Sequence, residues 1–336
     1  MWFGEVPVAR AEGTILAHSV QVGERRLRKG VVLDADHIKA LAGAGVDSVT
    51  VARAEPGDVT ENDAATRLAA ALVAGETGLR ASVAATGRVN LYATERGVAR
   101  IDRERIDAVN RIDPGITVAT VREWAPLVAN DMAATIKIIT YAVPGAALES
   151  AETAAAGGFS VAPVSISTAT LIETVIAGTG DGKGPKAMAA RLETLGIDLK
   201  PVVCVRHDAG LLAQALRAAT ADAATGAGAD LLLILTGSAT SDLHDVAPQA
   251  VRMAGGTVHH FGMPVDPGNL LFLGELAGRP VIGLPSCARS PALNGADWVL
   301  ERIVCGIPVS AQDIMGMGVG GLLKEIPTRP RPRESR

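Results

Sequence analysis

Leu231-Leu-Leu-Ile-Leu-Thr-Gly-Ser-Ala-Thr-Ser-Asp-Leu-His-Asp245 opens the stretch whose reading decides the fold. It continues through Pro264-Val-Asp-Pro-Gly268 to a second apolar strand that ends in Gly283-Leu-Pro-Ser286. Five consecutive large aliphatic residues fit a strand covered on both faces. Both strands empty into small, polar loops shaped by glycine and proline. Such loops predict an anion-accepting crevice at the carboxyl edge of a parallel sheet.

The pattern around this stretch is regular α/β. Strands are predicted at Thr170–Ile176, Pro201–Val205, Thr257–Phe261, Leu270–Leu276 and Pro280–Gly283, with helices at Lys186–Leu195, Gly210–Ala224, Ala247–Ala254 and Ala296–Val304. The expected architecture is a three-layered α/β domain with a mostly parallel sheet over residues 160–325. Residues 1–150 read as a smaller α+β region, with a helix capped by Asp34, a strand at Val46–Val51 and a helix from Thr60 to Ala74. Residues 326–336, with Arg329-Pro-Arg-Pro-Arg333, read as a disordered basic tail.

Composition narrows the function. The 336 residues are 48% hydrophobic, ample for more than one core. A net charge of -4 and 3% aromatic residues argue against nucleic acid as a partner. No apolar run is long enough to cross a bilayer, so no membrane partner is expected. Cys204, Cys287 and Cys305 lack close metal-ligand spacing, and no secretory leader opens the chain; both fit a cytoplasmic location.

Three loops could carry chemistry. Gly178-Thr-Gly-Asp-Gly-Lys-Gly184 has alternating glycines that free its backbone to fold around an anion, with Thr179, Gly180 and Asp181 as contacts and Lys183 or Lys186 adding charge. It also reads as a plain turn, and it lacks the Gly-Lys-Ser/Thr ending of a Walker loop. In the second loop, Thr236, Ser238, Thr240 and Ser241 offer hydroxyls and Gly237 permits close approach. Asp242 and Asp245 are three apart; on one helix face they would serve as Mg²⁺ ligands or orient an attacking oxygen, whereas at a helix start they would be N-caps. In the third, Pro285, Ser286 and Arg289 lead into a helix whose first amides suit phosphate. Cys287 has no base nearby in sequence, and His244, His259 and His260 lack zinc-site spacing.

These loops resemble those of the molybdopterin-binding superfamily, which includes the molybdenum-insertion and molybdopterin-adenylylating enzymes of molybdenum cofactor biosynthesis. The central match is Thr236-Gly-Ser-Ala-Thr-Ser-Asp-Leu-His-Asp245, followed by Asp266-Pro-Gly-Asn269 and Gly283-Leu-Pro-Ser-Cys-Ala-Arg-Ser-Pro291. Gly13-Thr-Ile-Leu-Ala17 and the segment from Arg28 to Leu41 resemble pieces of the insertion enzyme's accessory domains. The resemblance implies a three-layer molybdopterin-binding domain that takes molybdopterin or its adenylylated form, an anionic pterin. Thr236, Gly237, Ser238, Thr240, Ser241, Pro267, Gly268, Pro285, Ser286 and Arg289 would line the pocket with the glycine-rich loop. Asp242 and Asp245 would be catalytic and hold Mg²⁺, with ATP or molybdate as substrate. A homodimer and contacts with other cofactor-biosynthesis proteins are also implied.

The chain departs from that pattern in places. Gly182 stands where the first loop has Glu, Ser238 replaces a glycine, and the leucine-proline loop lacks its Gly-Asn pair. The acidic spacing allows Asp242 or Leu243 at the catalytic position. Two readings therefore stand: nucleotidyl transfer or molybdate insertion, and a noncatalytic molybdopterin carrier. A structural or regulatory α/β protein is the third.

Overall fold

The computed structural model describes residues 1–176, 182–221, 228–266 and 268–323. The chain divides into two compact units, Met1–Val161 and Ala162–Arg336. None of the described helices is long and apolar enough to cross a membrane.

The first unit is built on antiparallel pairing. Trp2–Pro7 and Ile15–Leu16 flank Ser48–Arg53, and a four-stranded sheet runs Ile116–Thr120, Met132–Ile138, Arg88–Ala93, Leu79–Ala81. The predicted cap is present: the Asp34 carboxylate accepts from the His37 amide at the head of helix Ala35–Gly43. Helices Glu61–Leu72, Arg103–Ile112 and Gly145–Ala155 supply Leu68, Leu72, Val109 and Leu148 to a core shared with Leu91, Ile116 and Ile136.

In the second unit the elements are β1 (Thr168–Val175), α1 (Lys183–Leu195), β2 (Asp198–Leu199), β3 (Val203–Arg206), α2 (Ala209–Ala221), β4 (Leu231–Leu235), α3 (Val246–Met253), β5 (Thr257–Met263), β6 (Asn269–Leu276), β7 (Arg279–Leu284), α4 (Gly295–Val304) and α5 (Ala311–Met315). The sheet order is β2-β1-β4-β7-β6-β5, with β3 also paired to β1. Every residue of β4 is buried, as its aliphatic run requires. Ile172, Leu232 and Ile234 pack on α2 and α3 through Leu212, Leu216, Ala247 and Val251.

The expected mostly parallel three-layer sheet is not what the chain forms. Most strand pairings among the described residues are antiparallel, and parallel pairing is confined to β2, β3, β1, β4 and β7. Strands β5, β6 and β7 run antiparallel to one another. Loop length explains the difference, because a parallel return needs a crossover of about a dozen residues or more. Only Ala277 and Gly278 join β6 to β7, with φ of 52° and 74°. That is the left-handed pair of a tight hairpin turn, and it forces the strands to reverse. Phe272 lies directly across from Gly283, and a Cβ at Gly283 would run into the Phe272 ring. The two antiparallel strands are thereby locked in register by shape.

Candidate functional site

Strands β1, β3, β4 and β7 share a direction, so their carboxyl ends form one edge of the sheet. Glu173 and Thr174 lie near the end of β1, Thr236 and Gly237 follow β4, and Arg289 follows β7. Successive strand residues face opposite ways, so Glu173 and Thr174 serve opposite faces of the edge.

On one face, Arg289 reaches back across the sheet. Its Nη1 donates to Glu173 Oε1 at 2.7 Å, and its Nη2 to the Thr236 carbonyl at 3.0 Å. Glu173 is 4% exposed, whereas the Arg289 side chain keeps 27% of its surface open. A buried carboxylate needs such a partner, but the guanidinium has five N–H donors and these bonds use two. The first turn of α1 packs here as well. A Cβ on Gly184 would collide with Leu235 and approach Arg289 Nη1 to 3.0 Å. Helix α1 starts from Gly182, held left-handed at φ 66°, and its positive end therefore lies beside the guanidinium.

On the other face, the fully buried Thr174 hydroxyl accepts from the Gly237 amide at 2.9 Å and lies 2.8 Å from His207 Nδ1. Gly237 is required by packing against protein, because a Cβ there would lie 2.8 Å from the Thr174 carbonyl. The close approach expected of Gly237 is made by the end of β1.

The loop bearing Arg289 is anchored by Arg191 on α1. All five donors of Arg191 are spent: Nε on Asp297 Oδ1 at 2.6 Å, Nη1 on the Ala187 and Ala288 carbonyls, and Nη2 on those of Ser290 and Ala292. Within this loop Pro285 is buried and Ser286 exposed. Burial pushes the Cys287 thiol up, which keeps it protonated and unsuited to attack as a nucleophile.

The two acidic candidates do not share a helix face. Helix α3 begins at Val246, and Asp245 is its N-cap: Oδ1 accepts from the Val246 amide at 2.7 Å and Oδ2 from the Ser241 amide at 2.9 Å. Asp242 sits in the preceding turn, where Oδ1 accepts from the His244 amide at 2.7 Å. Among the described residues, no group of three or more His, Cys, Asp and Glu side chains could hold a metal ion. The pair does not fit a resident Mg²⁺ site, since Asp245 Oδ1 caps the helix, its Oδ2 holds the Ser241 amide of the preceding turn, and Asp242 holds the His244 amide. Ser238 and Ser241 are exposed and Thr240 is buried.

Gly268 is exposed at φ 95°. Its neighbour Asp266 is bonded to the chain's later segment, the amide donating to the Gly321 carbonyl at 2.7 Å and Oδ1 accepting from the Leu323 amide at 3.2 Å. Thr179, Gly180, Asp181 and Pro267 lie outside the described residues, as does the predicted basic tail at 326–336.

The edge thus brings together Thr236, Gly237 and Arg289 from the sequence-selected set. It adds Glu173, Thr174, His207 and Arg191, which sequence reasoning missed. Glu173 left one signal: it is the sole charged residue in the strand Thr168-Ala-Thr-Leu-Ile-Glu-Thr-Val175, and a carboxylate in a buried strand demands a cation.

A family model described as "Domain of unknown function (DUF8806)" matches residues 5–53. No curated protein matches the chain. Among solved structures the chain is distantly similar to a molybdenum cofactor biosynthesis protein B, at 15% identity and a TM-score of 0.32, covering 43% of this chain and 96% of that one. It is also similar to the protein CinA, of unknown function, from Thermoplasma acidophilum, at 15% identity and a TM-score of 0.24, covering 37% of this chain and 90% of that one.

Proposed function

We propose that the second unit binds a small anionic pterin of the molybdopterin class at the carboxyl edge of β1, β4 and β7, and holds it without turnover. The observation that carries this reading is Arg289. It is anchored by Glu173 and the Thr236 carbonyl, lies beside the first turn of α1, and has donors beyond the two that anchor it. A guanidinium so oriented loses little freedom on meeting a phosphate, and charge-assisted hydrogen bonds are the stronger kind. The exposed hydroxyl of Ser238 at the exit of β4 and that of Ser286 beyond β7 suit a ligand with several polar atoms. The order of loops in the sequence supports the pterin class.

Binding is favoured over catalysis because the acidic pair that would manage Mg²⁺ is engaged locally, Asp245 as a helix cap and Asp242 in its own turn. No step through a metal follows from these residues. The test is a calorimetric titration of the purified chain with molybdopterin, alone and with ATP, Mg²⁺ and molybdate. Saturable binding, weakened about tenfold or more in Arg289→Ala, is expected. No binding would overturn the reading. Turnover that needs Mg²⁺ and vanishes in Asp242→Ala would replace it with the transferase or insertion reading.

A further inference from the structure

We propose that His207 is a second ligand-contacting residue of this edge, a hydrogen-bond donor presented through Nε2 and held in that tautomer by the buried Thr174 hydroxyl. The inference rests on the binding reading above and extends it to a residue on the opposite face from Arg289.

Thr174 has no solvent exposure, so its hydroxyl must be satisfied by protein. A hydroxyl has one hydrogen to give and lone pairs to accept with. The Gly237 amide supplies a hydrogen to the oxygen, at 2.9 Å. The remaining lone pair would suit an Nδ1–H, but the buried hydroxyl hydrogen would then lack an acceptor, so that hydrogen is assigned to His207 Nδ1, 2.8 Å away. Nδ1 is thereby the acceptor nitrogen of a neutral imidazole, and Nε2 carries the ring's hydrogen. The backbone of the residue is held as well, because the His207 amide donates to the Val175 carbonyl at 2.9 Å, continuing the β1–β3 pairing one residue past Val175–Arg206. The ring is half-buried, and its Nε2 has no bond to a described residue.

The position matters as much as the tautomer. Arg289 grips the carbonyl of Thr236, and the chain from Thr174 to His207 grips the amide of Gly237, the next residue. The exit of β4 is therefore held from both faces by a side chain that carries a donor. A ligand lying over that exit meets a charged donor on one side and a neutral one on the other. A neutral N–H donates equally well to a phosphate oxygen or to a pterin carbonyl.

Imidazole tautomers are read by long-range ¹H–¹⁵N correlation, with the His207 signal assigned by its loss in His207→Gln. The free chain is expected to show the Nε2–H form, retained in Thr174→Ser and lost or mixed in Thr174→Val. An Nδ1–H form in the wild type, or no change in Thr174→Val, would overturn the proposed lock. Inorganic phosphate and molybdopterin are then added separately. A shift at Nε2 with phosphate alone assigns the contact to the ligand's phosphate, and a shift with molybdopterin only assigns it to the pterin; no shift with either overturns the contact. Molybdopterin affinity should fall about tenfold in His207→Ala and recover to within about threefold in His207→Gln, whose amide still donates. Unchanged affinity in His207→Ala, with wild-type binding intact, sinks this inference alone. Absence of molybdopterin binding by the wild type sinks the reading on which it rests.

Discussion

The two ends of the β1–β4 pair are built on different plans. At the amino end, Asp230 ahead of β4 gathers four donors from the start of β1 onto one carboxylate oxygen: the Ser167 amide and hydroxyl at 3.1 and 3.0 Å, and those of Thr168 at 3.0 and 2.9 Å. Every one of these bonds joins the starts of β1 and β4 across a single strand pairing. At the carboxyl end, Arg289 and His207 arrive from loops beyond other strands and leave donors unspent by their anchoring bonds. One end closes the register. The other gathers side chains from beyond β3 and β7 as well as from β1, and this is the arrangement from which a site can be made.

The largest effect is expected where the carboxyl-edge loop is tied down. Removing Arg191 strands the Asp297 carboxylate, whose side chain is 10% exposed, and takes a donor from the Ala288, Ser290 and Ala292 carbonyls. Breaking a buried pair from one side costs about 3–5 kcal/mol. Arg191→Ala should therefore lose that much stability, read as faster hydrogen exchange in α1 and at residues 285–294, with the first unit unaffected. Protection equal to wild type would mean that Arg289 is positioned without this anchor.

The amino edge makes a prediction about pH. Burial alone would raise the Asp230 carboxyl, but hydrogen bonds from the side chains and amides of Thr168 and Ser167 together outweigh it and hold the group below its ordinary value. A carboxyl lowered by folding contributes stability that is complete above its unfolded value, roughly 3.9, and is lost as pH falls through the folded value. Asp230→Asn should cost about 1.5 kcal/mol at pH 7, the low end for hydrogen bonds to a charged group, because Asp230 is only partly buried. The gap between variant and wild type should begin to narrow below about pH 4 and close once pH has fallen past the lowered folded value. Denaturation midpoints of the second unit at pH 7 and pH 3 measure it, and a constant gap would refute the role assigned to the charge.

The same contrast explains what could be read from sequence. The apolar run Leu231–Leu235 and the small residues after it were legible because burial and turn chemistry are local properties. Strand direction was not. It depended on the length of the connection at Ala277-Gly278, which has left-handed backbone without the Asn-Gly or Asp-Gly that usually signals it. The partners of the site were hidden for a related reason. Glu173 and Arg289 are 116 residues apart and Thr174 and His207 are 33 apart, so only the folded sheet brings them together. Asp242 and Asp245 left two arrangements open, a shared helix face or a helix start, and the backbone decides between them: the helix starts one residue after the second of them.

That pair gives the smallest and most selective test. Asp245 caps α3 with both oxygens engaged, so Asp245→Ala should cost about 1 kcal/mol, the usual loss for an acidic N-cap. Asp242 is exposed and bonded only within its turn, so Asp242→Ala should stay within about 0.5 kcal/mol. Neither value should change when millimolar Mg²⁺ is added, because the Val246, Ser241 and His244 amides compete for the oxygens a cation would need. Thermal unfolding of both variants with and without Mg²⁺ separates the roles. If Mg²⁺ stabilised the wild type and either substitution abolished that gain, the acidic turn would be a metal site after all, and the carboxyl edge would hold the means for phosphoryl chemistry as well as binding.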